Sequence, residues 1–94
     1  MNEFFGALGK RWQSAADRRD ATIDEPTLDS KVAEELLELA RVVSHTKERR
    51  FAPLATYTAG IAAERLRQAK GADADAIAAY IREIREELEG EAPA

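Results

Sequence analysis

The stretch LARVVSHTKERRFAPLATY, residues 39–57, ends one helical pattern and begins another. Apolar side chains spaced four, three and four positions apart lead up to this stretch and end within it: Val32, Leu36, Leu39 and Val43. This repeat is typical of one face of an α-helix. Further along, Pro53 suits the first turn of a helix, where its missing N–H is not needed for hydrogen bonding. The stretch therefore predicts two helices joined by a short basic turn.

The patterns outside this stretch also predict helices, and the expected class is all-α. Four helices are expected at about residues 3–19, 29–46, 53–70 and 74–89, with an acidic loop at 20–28 and a frayed tail at 90–94. A chain of 94 residues is long enough for a single domain. Because short connections favour antiparallel neighbours, we expect a small antiparallel four-helix bundle.

The large apolar residues of each predicted helix are expected to form the core. Aromatic residues at helical spacing usually pack inside a protein, and this expectation covers Phe4, Phe5, Trp12 and Tyr57. Solvent-facing positions are expected for Glu34, Glu35, Glu38 and Arg41, and for the pairs Arg82–Glu86 and Arg85–Glu89. Gly60 lies inside the third helix, where glycine costs about 1 kcal/mol relative to alanine. A closely packed neighbouring helix would make that cost tolerable.

Composition and charge exclude several classes of function. The chain has no cysteine, which excludes disulfides, thiolate nucleophiles and cysteine-ligated zinc. Its net charge of −4 argues against nucleic-acid binding by bulk charge. No apolar stretch approaches the length of a membrane span, and the N-terminus does not have the pattern of a secretory signal. The expectation is a cytoplasmic protein that binds neither nucleic acid nor membrane.

The basic turn is the candidate binding site. The site residues are His45, Lys47, Arg49, Arg50 and Thr56. A helix N-terminus attracts anions, and arginine matches phosphate or carboxylate with two parallel donors. Phosphate, a nucleotide or a carboxylate-bearing partner could therefore bind here. The alternative is structural: cations at the end of the second helix offset its dipole, and the two arginines are solvated or pair with the acidic loop.

Neither catalysis nor metal binding is expected. His45 could act as an acid or base near neutral pH, but no residue close to it in the sequence completes a catalytic set. The loop acids lack the alternating spacing and central glycine of a calcium-binding hand, so we expect a solvated loop. These acids are Asp17, Asp20, Asp24, Glu25 and Asp29.

The segment from Leu36 to Ala62 resembles a small, uncharacterised helical domain of bacteria. The matching residues are Leu39-Ala40-Arg41, Ser44-His45, Arg49, Ala52-Pro53-Leu54, Thr56-Tyr57 and Gly60. That domain occurs alone or fused to molybdenum cofactor guanylyltransferases, the proteins that make molybdopterin guanine dinucleotide. The resemblance implies a place in molybdenum cofactor metabolism. A guanylyltransferase or a molybdoenzyme is then the implied partner, and a phosphate-bearing pterin or nucleotide the implied ligand.

Three functions remain open on these observations. The first is a non-catalytic accessory or binding module in molybdenum cofactor synthesis or delivery, acting through the basic turn. The second is a structural interaction protein that homodimerises or docks a helix, because a small bundle often completes its core with a partner. The third, a small hydrolase or transferase, has the least support, since a lone histidine offers no orienting set.

Overall fold

Helices account for the regular structure of this chain. The computed structural model describes residues 2–91, and within them it contains helices and no strand. The helices are α1 (Glu3–Asp17), α2 (Ser30–Thr46), α3 (Ala52–Lys70) and α4 (Ala74–Glu89), with a 3-10 turn at Arg49–Phe51. The all-α class with four helices is thus confirmed. Of the tail predicted to fray, residues 92–94 lie outside the described part.

Two compact units make up the described chain. The first contains α1 and the segment that follows it, up to residue 30, and the second runs from residue 31 and contains α3, α4 and nearly all of α2. Each unit has its own internal contacts. The prediction that residues 1–94 form a single domain stays a prediction.

Capping residues set several helix ends where the sequence places them. The side chain of Asn2 accepts a hydrogen bond from the N–H of Phe5, at 3.2 Å, and so caps α1. Asp73 caps α4 in the same way by accepting from the N–H of Ala76, at 2.9 Å. At the end of α3, Gly71 adopts the left-handed conformation with φ of 67°, which glycine takes without steric cost.

The end of α1 differs from its prediction, which extended the helix to residue 19. The helix ends at Asp17, and the N–H of Ala21 then donates to the carbonyl of Ala16, at 2.9 Å. The N–H of Asp20 donates to the carbonyl of Asp17, at 3.0 Å, which completes a Schellman motif. Asp20 has φ of 59°, a left-handed conformation that aspartate tolerates better than most residues.

In the first unit, the loop after α1 returns along the helix. Lys10 Nζ lies 3.1 Å from a carboxylate oxygen of Glu25, and Gln13 donates to the carbonyl of Ile23, also at 3.1 Å. Gly9 is buried, and a Cβ on it would lie 2.5 Å from the carbonyl oxygen of Pro26. This glycine therefore permits the close approach of helix and loop. The prediction that the acids of this loop are only solvated is wrong for Glu25.

The aromatic residues of α1 are not buried. Phe4 and Trp12 are more than half exposed, and Phe5 is also exposed. Phe4 and Phe5 contact each other edge to face, with their ring centroids 5.0 Å apart. The prediction that these three aromatic residues form core is therefore wrong.

The core of the second unit joins α2 and α4. Leu39, Val43 and Ile81 form its centre, and each is nearly inaccessible to water. Partly buried apolar residues surround this centre: Val32, Leu36, Ala55, Ala59, Ile77 and Leu88. The four, three, four spacing in α2 therefore identifies its core face correctly. Leu37, a large apolar residue of the same helix that was expected in the core, is exposed instead.

An ion cluster lies across α2 and α4, where the sequence predicts solvent-facing charges. Glu35 of α2 accepts from Arg82 Nε at 3.0 Å and from Arg85 Nη2 at 3.2 Å. Arg85 also pairs with Glu89 at 2.7 Å, as predicted, whereas Arg82 pairs with Glu35 rather than with Glu86. Burial raises the pKa of Glu35, but hydrogen bonds and charge from the two arginines outweigh it and hold the pKa below its usual value. The Glu35 side chain is only 14% exposed.

Replacement of Glu35 by glutamine should make the stability of the second unit less dependent on acid pH. Because the folded pKa of Glu35 lies below its unfolded value of about 4.3, the stabilisation is complete above that pH and is lost as the pH falls through the folded pKa. We expect Glu35→Gln to cost about 1–3 kcal/mol at neutral pH and to flatten the acid side of the stability profile.

Urea unfolding measured at several pH values between neutral and strongly acidic checks this prediction. Glu38→Gln is the matched control, because Glu38 forms an exposed pair with Arg41 and its loss should change stability by less than about 0.5 kcal/mol. Equal losses in the two variants would show that the cluster between α2 and α4 does not have the expected role.

Alanine substitutions at two glycines of α1 should have opposite effects. Gly9→Ala introduces a Cβ that collides with the Pro26 carbonyl, so we expect a loss of about 1–3 kcal/mol. Gly6→Ala meets no heavy atom within 4 Å and removes the cost of glycine in a helix, so we expect a gain of up to about 1 kcal/mol. Hydrogen exchange of the α1 amides measures both effects within the first unit. Similar protection in both variants would contradict the proposed packing of Gly9 on the loop.

Candidate functional site

The basic turn between α2 and α3 is shorter and more ordered than the sequence predicts. The last residue of α2, Thr46, donates its hydroxyl to the carbonyl of Val42 at 2.8 Å. The 3-10 turn then leads directly into α3, with the N–H of Phe51 donating to the carbonyl of Glu48 at 3.0 Å. As a result α3 begins at Ala52, one residue before the predicted start.

Three of the five predicted site residues have partners within the chain. Lys47 Nζ lies 3.4 Å from Glu91, and Arg50 Nε lies 3.4 Å from Glu48. The guanidinium of Arg50 also lies over the ring of Phe51, 5.7 Å from its centroid. These contacts are exposed and weak, so a ligand could displace them.

The third of these residues is Thr56, whose hydroxyl donates to the carbonyl of Pro53 at 2.9 Å. This hydrogen bond satisfies a carbonyl inside the first turns of α3 and directs the hydroxyl proton away from a ligand. Thr56 therefore contributes less to an anion site than its position suggests.

The two remaining site residues are exposed. Among residues 2–91, His45 and Arg49 have no hydrogen-bonding or ion-pairing partner for their side chains. Within this range no hydrogen bond or ion pair joins any two of the five predicted site residues either. The anion site at this turn stays a prediction, and Arg49 is the residue on which it most depends.

The outward side of α3 has the most exposed apolar surface on that helix. The buried residues of α3 are Ala52 and Ala63. On the opposite side, Leu54 is 63% exposed, Tyr57 69% and Ile61 37%. Arg65 follows at the same helical spacing and is also exposed. We call Leu54, Tyr57, Ile61 and Arg65 the α3 outer face.

This orientation overturns the prediction that Tyr57 is part of the core. Helix α3 has two apolar sides, one made of alanines and one made of large residues. Small side chains allow a helix to come close to its neighbours, and the alanine side is the one that packs. The alanine run itself was visible in the sequence, and it was the signal that could have identified the packed side.

A shallow depression along the outer face includes Gly60 in its lining. Tyr57, Ile61, Glu64 and Arg65 are among the residues that line it. No heavy atom lies within 4 Å of where a Gly60 side chain would begin. The close packing of a neighbouring helix, which was expected to explain this glycine, is therefore absent from the described chain.

An apolar groove of about 280 Å³ lies on another side of α3, between this helix and α4. Ala59 and Ala62 form its α3 wall, while Tyr80 and Ile84 belong to its α4 wall. Ile61 and Tyr80 also line a second shallow depression that continues from the groove towards Arg65. Apolar surface therefore extends from the α3 outer face to α4.

Residues 2–91 contain no cluster of three or more histidine, cysteine, aspartate or glutamate side chains that could hold a metal ion. Within the same range, no helix has both the length and the apolar character required to cross a membrane.

Comparison with known protein families gives a match over most of the chain. A family model described as a domain of unknown function, DUF6457, matches residues 6–94, which is nearly the whole chain. No curated protein and no solved structure matches the chain. The matched range includes all of α2, α3 and α4 and most of α1. The chain therefore belongs to the DUF6457 family.

Proposed function

We propose that this chain is a non-catalytic binding module that docks onto another protein through the α3 outer face. The observation that carries the proposal is the exposure of Leu54, Tyr57 and Ile61 on one side of one helix. Single exposed apolar residues are common, but adjacent ones on one face are typical of interaction surfaces. Tyrosine and arginine are also the residues that most often dominate binding energy, and this face has one of each.

The identity of the partner is the second part of the proposal. The segment from Leu36 to Ala62 resembles the domain that occurs alone or fused to molybdenum cofactor guanylyltransferases. A domain that exists both fused and alone can act on the same enzyme in cis or in trans. We therefore propose a molybdenum cofactor guanylyltransferase as the first partner to test, and a molybdoenzyme as the second.

The basic turn has a different role in this proposal. A phosphate-bearing pterin or nucleotide could bind at His45, Lys47, Arg49 and Arg50, next to the start of α3. Arg49 supports this possibility, since its side chain is exposed and has no partner within residues 2–91.

Homodimerisation through the α3 outer face is the remaining alternative for the apolar surface.

Calorimetric titration of the full chain with a purified guanylyltransferase tests the docking proposal. We expect Tyr57→Ala to weaken binding by roughly tenfold or more, because truncation of a buried interface tyrosine removes a large contact area. The matched control is Leu37→Ala, which removes an equally exposed apolar side chain from α2. Circular dichroism should show unchanged helix content in both variants.

One further variant, Arg49→Ala, and the oligomeric state of the free chain separate the alternatives. Loss of binding in Arg49→Ala, with full binding retained in Tyr57→Ala, would move the site to the basic turn. A dimer of the free chain in sedimentation analysis that dissociates on Tyr57→Ala would assign the face to self-association. If wild-type protein binds neither a guanylyltransferase nor a molybdoenzyme, the proposed partner is wrong.

A further inference from the structure

Gly60 gives the α3 outer face a recess along one edge, beside Tyr57. Glycine inside a helix costs stability, and nothing within the described chain uses the space that its missing side chain leaves. Tyr57 and Ile61 stand beside this space, with Leu54 one turn earlier. A recess beside large apolar side chains can accept a side chain from a second helix, as in helix–helix packing. The shape of the face therefore suits a helical partner.

Two charged residues, Glu64 and Arg65, line the depression on this face. The charge of Glu64 is neutralised within the chain, so the remaining charge is positive. Glu64 accepts hydrogen bonds from Arg67 and Gln68, and the bond from Arg67 holds the pKa of Glu64 below its usual value. Arg65 lines the same depression, and within residues 2–91 its guanidinium has no ion pair. The net charge that a partner meets at this end of the face is that of Arg65.

The surrounding segment has the same sign, in contrast to the rest of the chain. Residues 47–70 contain six basic and two acidic residues, whereas residues 72–91 contain seven acidic and two basic ones. The whole chain has a net charge of −4. An apolar face whose unpaired charge is that of Arg65 favours a partner with complementary charge, and on an acidic chain it disfavours a second copy of the same chain.

From this combination we infer that the occupant of the α3 outer face is an amphipathic helix that has carboxylate side chains along the edge of its apolar stripe. One apolar side chain of this helix fills the recess at Gly60, its neighbours contact Leu54, Tyr57 and Ile61, and a carboxylate pairs with Arg65. This inference rests on the proposed docking function and adds the chemistry of the docked segment.

Synthetic helical peptides test the inference on the full chain. The probe is an alanine-based peptide of about 18 residues with a leucine stripe flanked by glutamates, and its counterpart has lysines in place of the glutamates. We expect the glutamate peptide to bind roughly tenfold more tightly at low salt, with amide NMR shifts centred on Gly60, Ile61 and Arg65. Arg65→Glu should reverse this preference, whereas Arg11→Glu on α1 should leave it unchanged.

Gly60→Leu gives a second, independent readout. Filling the recess should weaken the glutamate peptide by roughly tenfold, while helix content and thermal stability stay equal to or above those of the wild type. This outcome separates loss of the binding surface from loss of the fold.

Several results would overturn the inference. They are equal binding of the two peptides, shifts that map to α1 or α4, or a Gly60→Leu variant that binds normally. Dissociation of a wild-type dimer by either peptide would assign the face to a second copy of the chain. If Tyr57→Ala still abolishes guanylyltransferase binding while the peptides show no charge preference, the docking function stands and only the acidic helix is wrong.

Discussion

The packing of α3 through its alanines is the constraint from which the other features of the second unit follow. Ala52 and Ala63 are buried, and Ala55 and Ala59 contact the centre formed by Leu39, Val43 and Ile81. Small side chains contribute little apolar area each, so the core depends on those three residues from α2 and α4. Because α3 faces its neighbours with alanines, its large residues are left in solvent. The packing of α3 through its alanines therefore accounts both for the small core and for the exposed apolar face.

Helix positions could be predicted from the sequence almost to the residue, because their signals are local. Asn2, Asp73 and Gly71 act within one turn of the helix end that they define. The end of α1 was placed two residues late, since a left-handed aspartate is a weaker signal than a glycine. Burial was harder to predict, because it depends on which side of a helix approaches its neighbours. In α3 both sides are apolar, and periodicity favoured the side with the larger residues.

Ion pairs, like helix positions, could be predicted where the two residues are close in the sequence and could not where they are far apart. The pair Arg85–Glu89 is four residues apart and was predictable, whereas Glu35 finds its arginines 47 and 50 positions later. The basic residues of the turn are close together in the sequence, but the ion pair between Lys47 and Glu91 spans 44 positions. No rule of local spacing reveals such a partner. Which cations of a cluster remain available to a ligand is therefore decided by the fold.

Under the proposed docking function, the recess at Gly60 would link the abundance of this protein to the concentration of its partner. A glycine inside a helix lowers the free energy of unfolding of the isolated chain, and a small core leaves a narrow margin. Any molecule that binds only the folded form adds stability in proportion to the logarithm of its concentration, about 2.7 kcal/mol at a hundred times its dissociation constant. Chains without a partner would be unfolded more often and degraded sooner. The cell would then hold about as much of this protein as it has partner to occupy it.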